Sequence, residues 1–138
     1  MTVKQPAEWI PYNFAVLRVV PHVHIGTFIP VGIVLHARTT EFLAARVITD
    51  SALLRGNIPE GADIDLLSRY LKSCEAICSG DVSAGPIALA PPSERFHWLT
   101  APRSDVIQCG PVHEGLCENP ETTLNELFAT LILGSSVR

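Results

Sequence analysis

Hydrophobic positions change period along this chain. Between residues 12 and 48 apolar side chains alternate with their neighbours or run almost continuously, whereas after residue 63 and again after residue 119 they recur three and four apart. A period of two belongs to extended backbone and a three–four spacing to one face of a helix. Residues 12–20 place Tyr12, Phe14, Val16, Arg18 and Val20 on one face and Asn13, Ala15, Leu17 and Val19 on the other. Both faces are largely apolar, which predicts a central strand. Residues 28–36, with VGIVLHA at their heart, predict a second strand. Pro30 has no amide donor and belongs at that strand's start, at an edge or at a bulge. Residues 42–48 predict a third strand. Turns at 21–26 and 38–40 make the three an antiparallel meander.

Residues 51–55 predict one helical turn. The strongest helical pattern follows, with Asp63 as N-cap. Leu66, Leu67, Tyr70, Leu71, Cys74, Ile77 and Cys78 share one face, and Gly80 is the natural stop. Residues 81–94 are rich in Pro, Gly and Ala and predict a wrapping loop. A fourth strand is expected over 95–100 and a short fifth over 105–109. Asn119-Pro120 starts a last helix with Asn as cap and Pro in the first turn. Leu124, Leu127, Phe128, Leu131 and Ile132 form its stripe, and Gly134 ends it. The order of elements predicts an α+β fold, a mostly antiparallel sheet of about 4–5 strands with two main helices packed on one face. One domain spanning 1–138 is expected, with a lead-in at 1–11 and a tail at 134–138.

Composition narrows the classes. The 138 residues are 47% hydrophobic and 17% charged, which argues against disorder. The net charge is -4 and the 10 Lys and Arg residues are scattered. Sequence-independent nucleic-acid binding needs a basic stripe, so nucleic acid is not an expected partner. No apolar run approaches the ~20 residues of a membrane span, and the first residues carry no secretory pattern. The expectation is a cytoplasmic protein with reduced thiols and no membrane association.

The polar residues that stand out concentrate in PPSERFHWLTAPRSDVIQCGPVHEGLCENP at 91–120. Loops are where binding groups usually sit. Arg18 and Arg46 interrupt apolar strands at positions expected to be at least half buried, and a buried guanidinium needs a partner. With Arg103, Ser104 and His113 they form a candidate anion pocket, since Arg forks bind phosphate or carboxylate bidentately. Their structural alternative is pairing with Asp or Glu, or placement at a sheet edge. Cys109, His113 and Cys117, each four apart, are candidate zinc ligands without a CxxC or an obvious fourth ligand, so no metal or other cofactor is expected. Cys74 and Cys78 lie on the helix's apolar face, where Cys acts as a small hydrophobe. Ser104, Asp105 and His113 hold the residue types of a hydrolytic triad, but PRSD is no nucleophile elbow. His22 and His24 flank a turn. Trp9 is the expected exposed anchor for a partner, whereas Phe96 and Trp98 are expected in the core.

LRVVP at 17–21, VGIVL at 31–35, FLAAR at 42–46, ICSGD at 77–81, AGPIA at 84–88, PPSERFHWLTAPRS at 91–104 and GPVHEGL at 110–116 occur in one order. That order resembles a small bacterial family known as domain of unknown function 3037, over about residues 12–132. The APRS and PVHxG segments are its specific parts. The resemblance carries no established activity. It implies an accessory role beside a HipA-like serine kinase, whose gene often neighbours the family's, and so a toxin–antitoxin neighbourhood. It also implies Glu where Thr27 stands and Asn where Pro30 stands, so part of any shared polar site is missing in this chain.

The leading expectation is an interaction, accessory or regulatory module without enzymatic activity of its own. Its partner would be a protein such as a HipA-like kinase, and homo-oligomerisation through a sheet edge is compatible. The alternative is an anion-binding domain or enzyme that takes a phosphate-bearing ligand through Arg18, Arg46, Arg103, Ser104 and His113.

Overall fold

The computed structural model describes residues 9–20, 28–58, 63–101 and 107–134. Five strands form one antiparallel sheet: β1 (Ile10–Val19), β2 (Ile29–Ala37), β3 (Phe42–Val47), β4 (Ile107–Cys109) and β5 (His113–Cys117). The order is β3-β2-β1-β4, with β5 also on β1. β4 pairs with the Leu17–Val19 end of β1 and β5 with its Ile10–Phe14 end, so the two short strands share one side of β1. The helices are α1 (Ser51–Asn57), α2 (Ile64–Ser79), α3 (Pro92–Thr100) and α4 (Pro120–Leu127), the last continuing as a π-helical segment, Phe128–Leu133.

The register settles which side chains share a face. Across β1, β2 and β3, the rows Asn13–His36–Leu43, Ala15–Val34–Ala45 and Leu17–Gly32–Val47 lie on one face. Phe14–Leu35–Ala44 and Val16–Ile33–Arg46 lie on the other. α3 covers the first face, because Phe96 stacks on His36 with ring centroids 5.3 Å apart. α2 lies beside α3 and against β3. α4 and its π-helical continuation cover the second face, where Arg46 meets Asn125 and Phe128. The α+β class and the antiparallel sheet match the expectation, but the helices divide between the two faces instead of sharing one. The physical reason is β2, whose residues 31–37 are all buried. Strand positions that alternate in direction are all buried only when both faces are covered.

α2 begins and ends as its sequence implies. The Asp63 carboxylate accepts from the Leu66 amide at 3.0 Å. Gly80 takes the left-handed conformation, φ 76°, and donates back to Ile77 and Ala76. There a side chain would be strained. Leu67, Leu71, Cys74, Ile77 and Cys78 are buried in a core shared with Ala15, Leu17, Val34 and Val47. Asn119 caps α4, accepting from the Glu121 and Thr122 amides.

Two expectations fail between residues 81 and 117. Residues 95–100 are not a strand; they belong to α3. Pro92 sits at its start, where a missing amide costs nothing, and Glu94 lies in its first turn. Phe96 and Leu99, three apart, are its buried residues. β5, expected as loop, is a strand set by pairing with β1 from Ile10↔Cys117 to Phe14↔His113. The segment 81–91 contains two 3₁₀ turns, Val82–Ala84 and Pro86–Leu89.

Arg95 ties this region together. Its Nε donates to the Ala90 carbonyl at 2.8 Å, and its Nη1 donates to the carbonyls of Ile77 at 2.9 Å and Cys78 at 2.8 Å. A guanidinium at the C-terminal end of α2 satisfies carbonyls that the helix cannot and complements its dipole. Arg95→Ala is expected to lower unfolding free energy by about 2 kcal/mol, because charge-assisted bonds are lost and carbonyls are left unpaired. Arg95→Lys recovers only part, since an ammonium has no fork. Urea denaturation followed by circular dichroism checks both.

Candidate functional site

Among the described residues, two concave sites lie on opposite faces of the sheet. The smaller, about 260 Å³, is lined by Val16, Arg18, Phe28, Pro30, Gly110, Pro111, His113 and Leu131. A register shift between Leu17 and Arg18 builds it: Leu17 pairs with Gly32 but Arg18 pairs with Pro30, leaving Val31 as the extra residue on β2. Such a bulge re-aims side chains and tolerates a proline. His113, at the start of β5, pairs with Phe14 and stacks on its ring at 5.1 Å, so it projects from the same face as Arg18. Arg18 lies over the Phe28 ring with Cζ 4.5 Å from the centroid. Its Nε is buried and has no hydrogen-bond partner among the described residues. Leaving a buried charged donor unpaired costs more than the roughly 1–3 kcal/mol of a neutral one.

The structure thus brings Arg18 and His113 into one pocket. Arg46 does not line it. It is exposed on β3, the edge strand, where Nη1 donates to Asn125 Oδ1 at 2.7 Å and Cζ lies 4.6 Å from the Phe128 centroid. The half-buried placement expected for Arg46 fails for that reason, and its visible role is to hold α4. Arg103, Ser104, Asp105, His22, His24 and Thr27 lie outside the described residues. Pro30, where the resemblance implies Asn, lies in the pocket directly across the register from Arg18 and offers its guanidinium no side-chain acceptor.

The three candidate zinc ligands do not converge. Cys109 pairs with Leu17 and takes that residue's face. His113 and Cys117 take the other face at opposite ends of β5, about 13 Å apart at the rise of a strand. Among the described residues no group of His, Cys, Asp or Glu is placed to hold a metal. The Cys78 thiol is pushed up to about 12, chiefly by burial and then by neighbouring Cys74. Phe96 is buried as expected, but Trp98 is 42% exposed, as is Trp9. Trp98 occupies a turn of α3 that faces away from the sheet, a direction that a strand assignment could not supply.

The larger site, a cleft of about 860 Å³, was not foreseen. Its floor is the row His36–Asn13–Glu114 across β2, β1 and β5. Ser93, Phe96 and His97 of α3 line it, with Arg38 just after β2. His36 is the one buried polar residue among the described core, and its Nε2 has no partner among the described residues. Tyr12 also lines the cleft and lies over Gly115, where any Cβ would come within 2.5 Å of the Tyr12 Oη. The signal in the sequence was His36 itself, a polar residue closing the apolar run VGIVL.

Burial, followed by nearby His97 and Arg38, holds His36 below the ordinary imidazole value. The unfolded chain therefore takes up a proton at His36 at higher pH than the folded chain does. The associated stability is fully present above the ordinary value of about 6.5 and is lost as pH falls below it. His36→Phe is expected to flatten this part of the stability–pH curve, measured by denaturant unfolding on either side of that value. Cys78 is expected to resist iodoacetamide in the folded protein at neutral pH and to react on unfolding, since only the thiolate is nucleophilic. Peptide mass spectrometry reads the difference.

Among the described residues no helix is long and apolar enough to cross a membrane. No curated protein and no solved structure matches the chain. Residues 14–132, which take in β1 from Phe14 onward, β2 to β5 and α1 to α4, match the family described as Protein of unknown function (DUF3037), and the chain belongs to that family.

Proposed function

We propose that the protein recognises a carboxylate or phosphate group in the pocket formed by Arg18 and His113. The observation that carries this reading is the buried Arg18 Nε without a partner among the described residues. The Phe28 ring shields one face of the guanidinium, and none of the described lining residues is acidic. The edge of a planar guanidinium stacked in this way is preorganised for an anion's two oxygens. His113 adds an imidazole N–H donor on the same face. About 260 Å³ holds an anionic head group and not a whole nucleotide, so the remainder of the ligand lies outside the pocket.

An accessory role is the second reading. Phe28 at the pocket rim is 51% exposed, and Trp9 is exposed as well. A partner's acidic side chain at Arg18 would bring its neighbours against Phe28, in the manner of an aromatic anchor beside a charge. A HipA-like kinase, implied by the family resemblance, is the partner to test by co-purification.

Titration with inorganic phosphate and with acetate, followed by the Arg18 Nε–Hε resonance, tests the primary reading. A saturable shift is expected. Arg18→Gln, followed instead at the backbone amides of Gly110 and His113, should weaken binding by at least about tenfold, the loss of one charge-assisted contact. His113→Ala should weaken it less. An Arg18 resonance unmoved by millimolar concentrations of both anions would remove this function.

A further inference from the structure

The cleft on the opposite face carries an inference independent of the Arg18 pocket. His36, Asn13 and Glu114 are directly opposed on β2, β1 and β5, so their side chains leave the sheet on one face. With strands about 4.8 Å apart, His36 and Glu114 stand roughly 10 Å from each other, with the Asn13 amide between them. α3 forms the wall above them through Ser93, Phe96 and His97. Arg38 is exposed at the His36 end and Glu114 is exposed at the other. Pro11 and Leu116, opposed in the next row, give the floor an apolar strip.

Two features ask for a ligand. His36 is only 5% exposed, lines the cleft, and has an Nε2 without a partner among the described residues. The cleft is also bipolar: cationic at Arg38, anionic at Glu114, and furnished with neutral hydrogen-bonding groups between. A molecule complementary to it has an ammonium and a carboxylate at its two ends and amide groups in the middle. Three extended residues span roughly 10–11 Å, the distance from Glu114 to His36, and Arg38 follows His36 by two residues along the chain.

We propose that the cleft binds a short peptide with both termini free, its ammonium at Glu114, its carboxylate at Arg38 and an internal amide at Asn13 and His36 Nε2. The Pro11–Leu116 strip receives an apolar side chain of the peptide. Phe96, stacked on the His36 ring at 5.3 Å, holds the imidazole in place for that contact.

Trialanine, N-acetyl-trialanine and trialanine amide, titrated into the isotopically labelled full chain, separate the parts of the claim. With trialanine, saturable shifts are expected at the His36 imidazole and the Asn13 side-chain amide. The acetylated and amidated peptides each lack one terminal charge and should bind at least about tenfold more weakly. His36→Phe, which keeps a ring against Phe96 and removes Nε2, should weaken trialanine binding to a similar degree. Glu114→Gln changes an exposed residue, keeps the fold, and should weaken trialanine while leaving N-acetyl-trialanine unchanged. No shift at millimolar trialanine overturns the proposal. Equal binding of the three peptides, or an unaltered Glu114→Gln variant, overturns the bipolar recognition on which it stands.

Discussion

β2 must be covered on both sides, and most of the architecture follows from that requirement. Val31, Ile33, Val34 and Leu35 are fully buried, and they point alternately to the two faces. A strand of this kind exposes too much apolar surface if helices cover one face alone. α2 and α3 therefore occupy one side, and α4 with its π-helical continuation occupies the other. β1 and β3 flank β2, which places the irregular short strands β4 and β5 on the far side of β1. Both concave sites are products of this arrangement. Each opens where a covering helix does not reach across the β1–β5 side of the sheet.

The two sites differ in how their polar groups came to be buried. Arg18 is drawn in by a bulge opposite Pro30 and by stacking on Phe28, so its guanidinium is held flat with its Nε buried and without a partner among the described residues. His36 is drawn in by position, as the last inward residue of a strand whose other members are apolar, beneath Phe96. One group carries a permanent charge and favours anions. The other stays neutral because burial opposes its protonation, and it offers a hydrogen bond without charge. Arg95 and Arg46 show the contrasting use of the same side chain. Arg95 is consumed by three carbonyls at the junction of α2 and α3, and Arg46 by Asn125 and the Phe128 ring. A polar side chain with its bonds completed serves the scaffold, whereas a buried donor or acceptor with a bond missing calls for an account.

Local signals were legible where they are self-contained. Asp63 and Gly80 delimit α2, Asn119-Pro120 opens α4, and the period-two runs mark β1 to β3, because caps and side-chain alternation depend on residues a few positions apart. The family could also be read from the order of its segments, and the match over residues 14–132 agrees. α3 reads as a strand in isolation because FHWLT has the aromatic, β-prone composition of one, while its helical character rests on Pro92 at the start and on Phe96 and Leu99 as its buried residues. β5 carries no local signal because HEGLC has little intrinsic strand preference and becomes a strand through its ladder with β1.

The sites divide along the same line. Arg18 and His113 were recognisable as costly polar residues in the sequence, since a charge inside an apolar run needs an account wherever it falls. Their meeting was not, because residues so far apart in sequence are joined only when β5 closes on β1 in the register Phe14↔His113. The row His36–Asn13–Glu114 has the same origin. Each residue alone is unremarkable, and three strands paired in one register turn them into the floor of a cleft. Periodicity, capping and composition act over a few residues and so determine elements and class. Register and the choice of face act between distant segments, where slipping a strand by one residue would send every one of these side chains to the other side of the sheet.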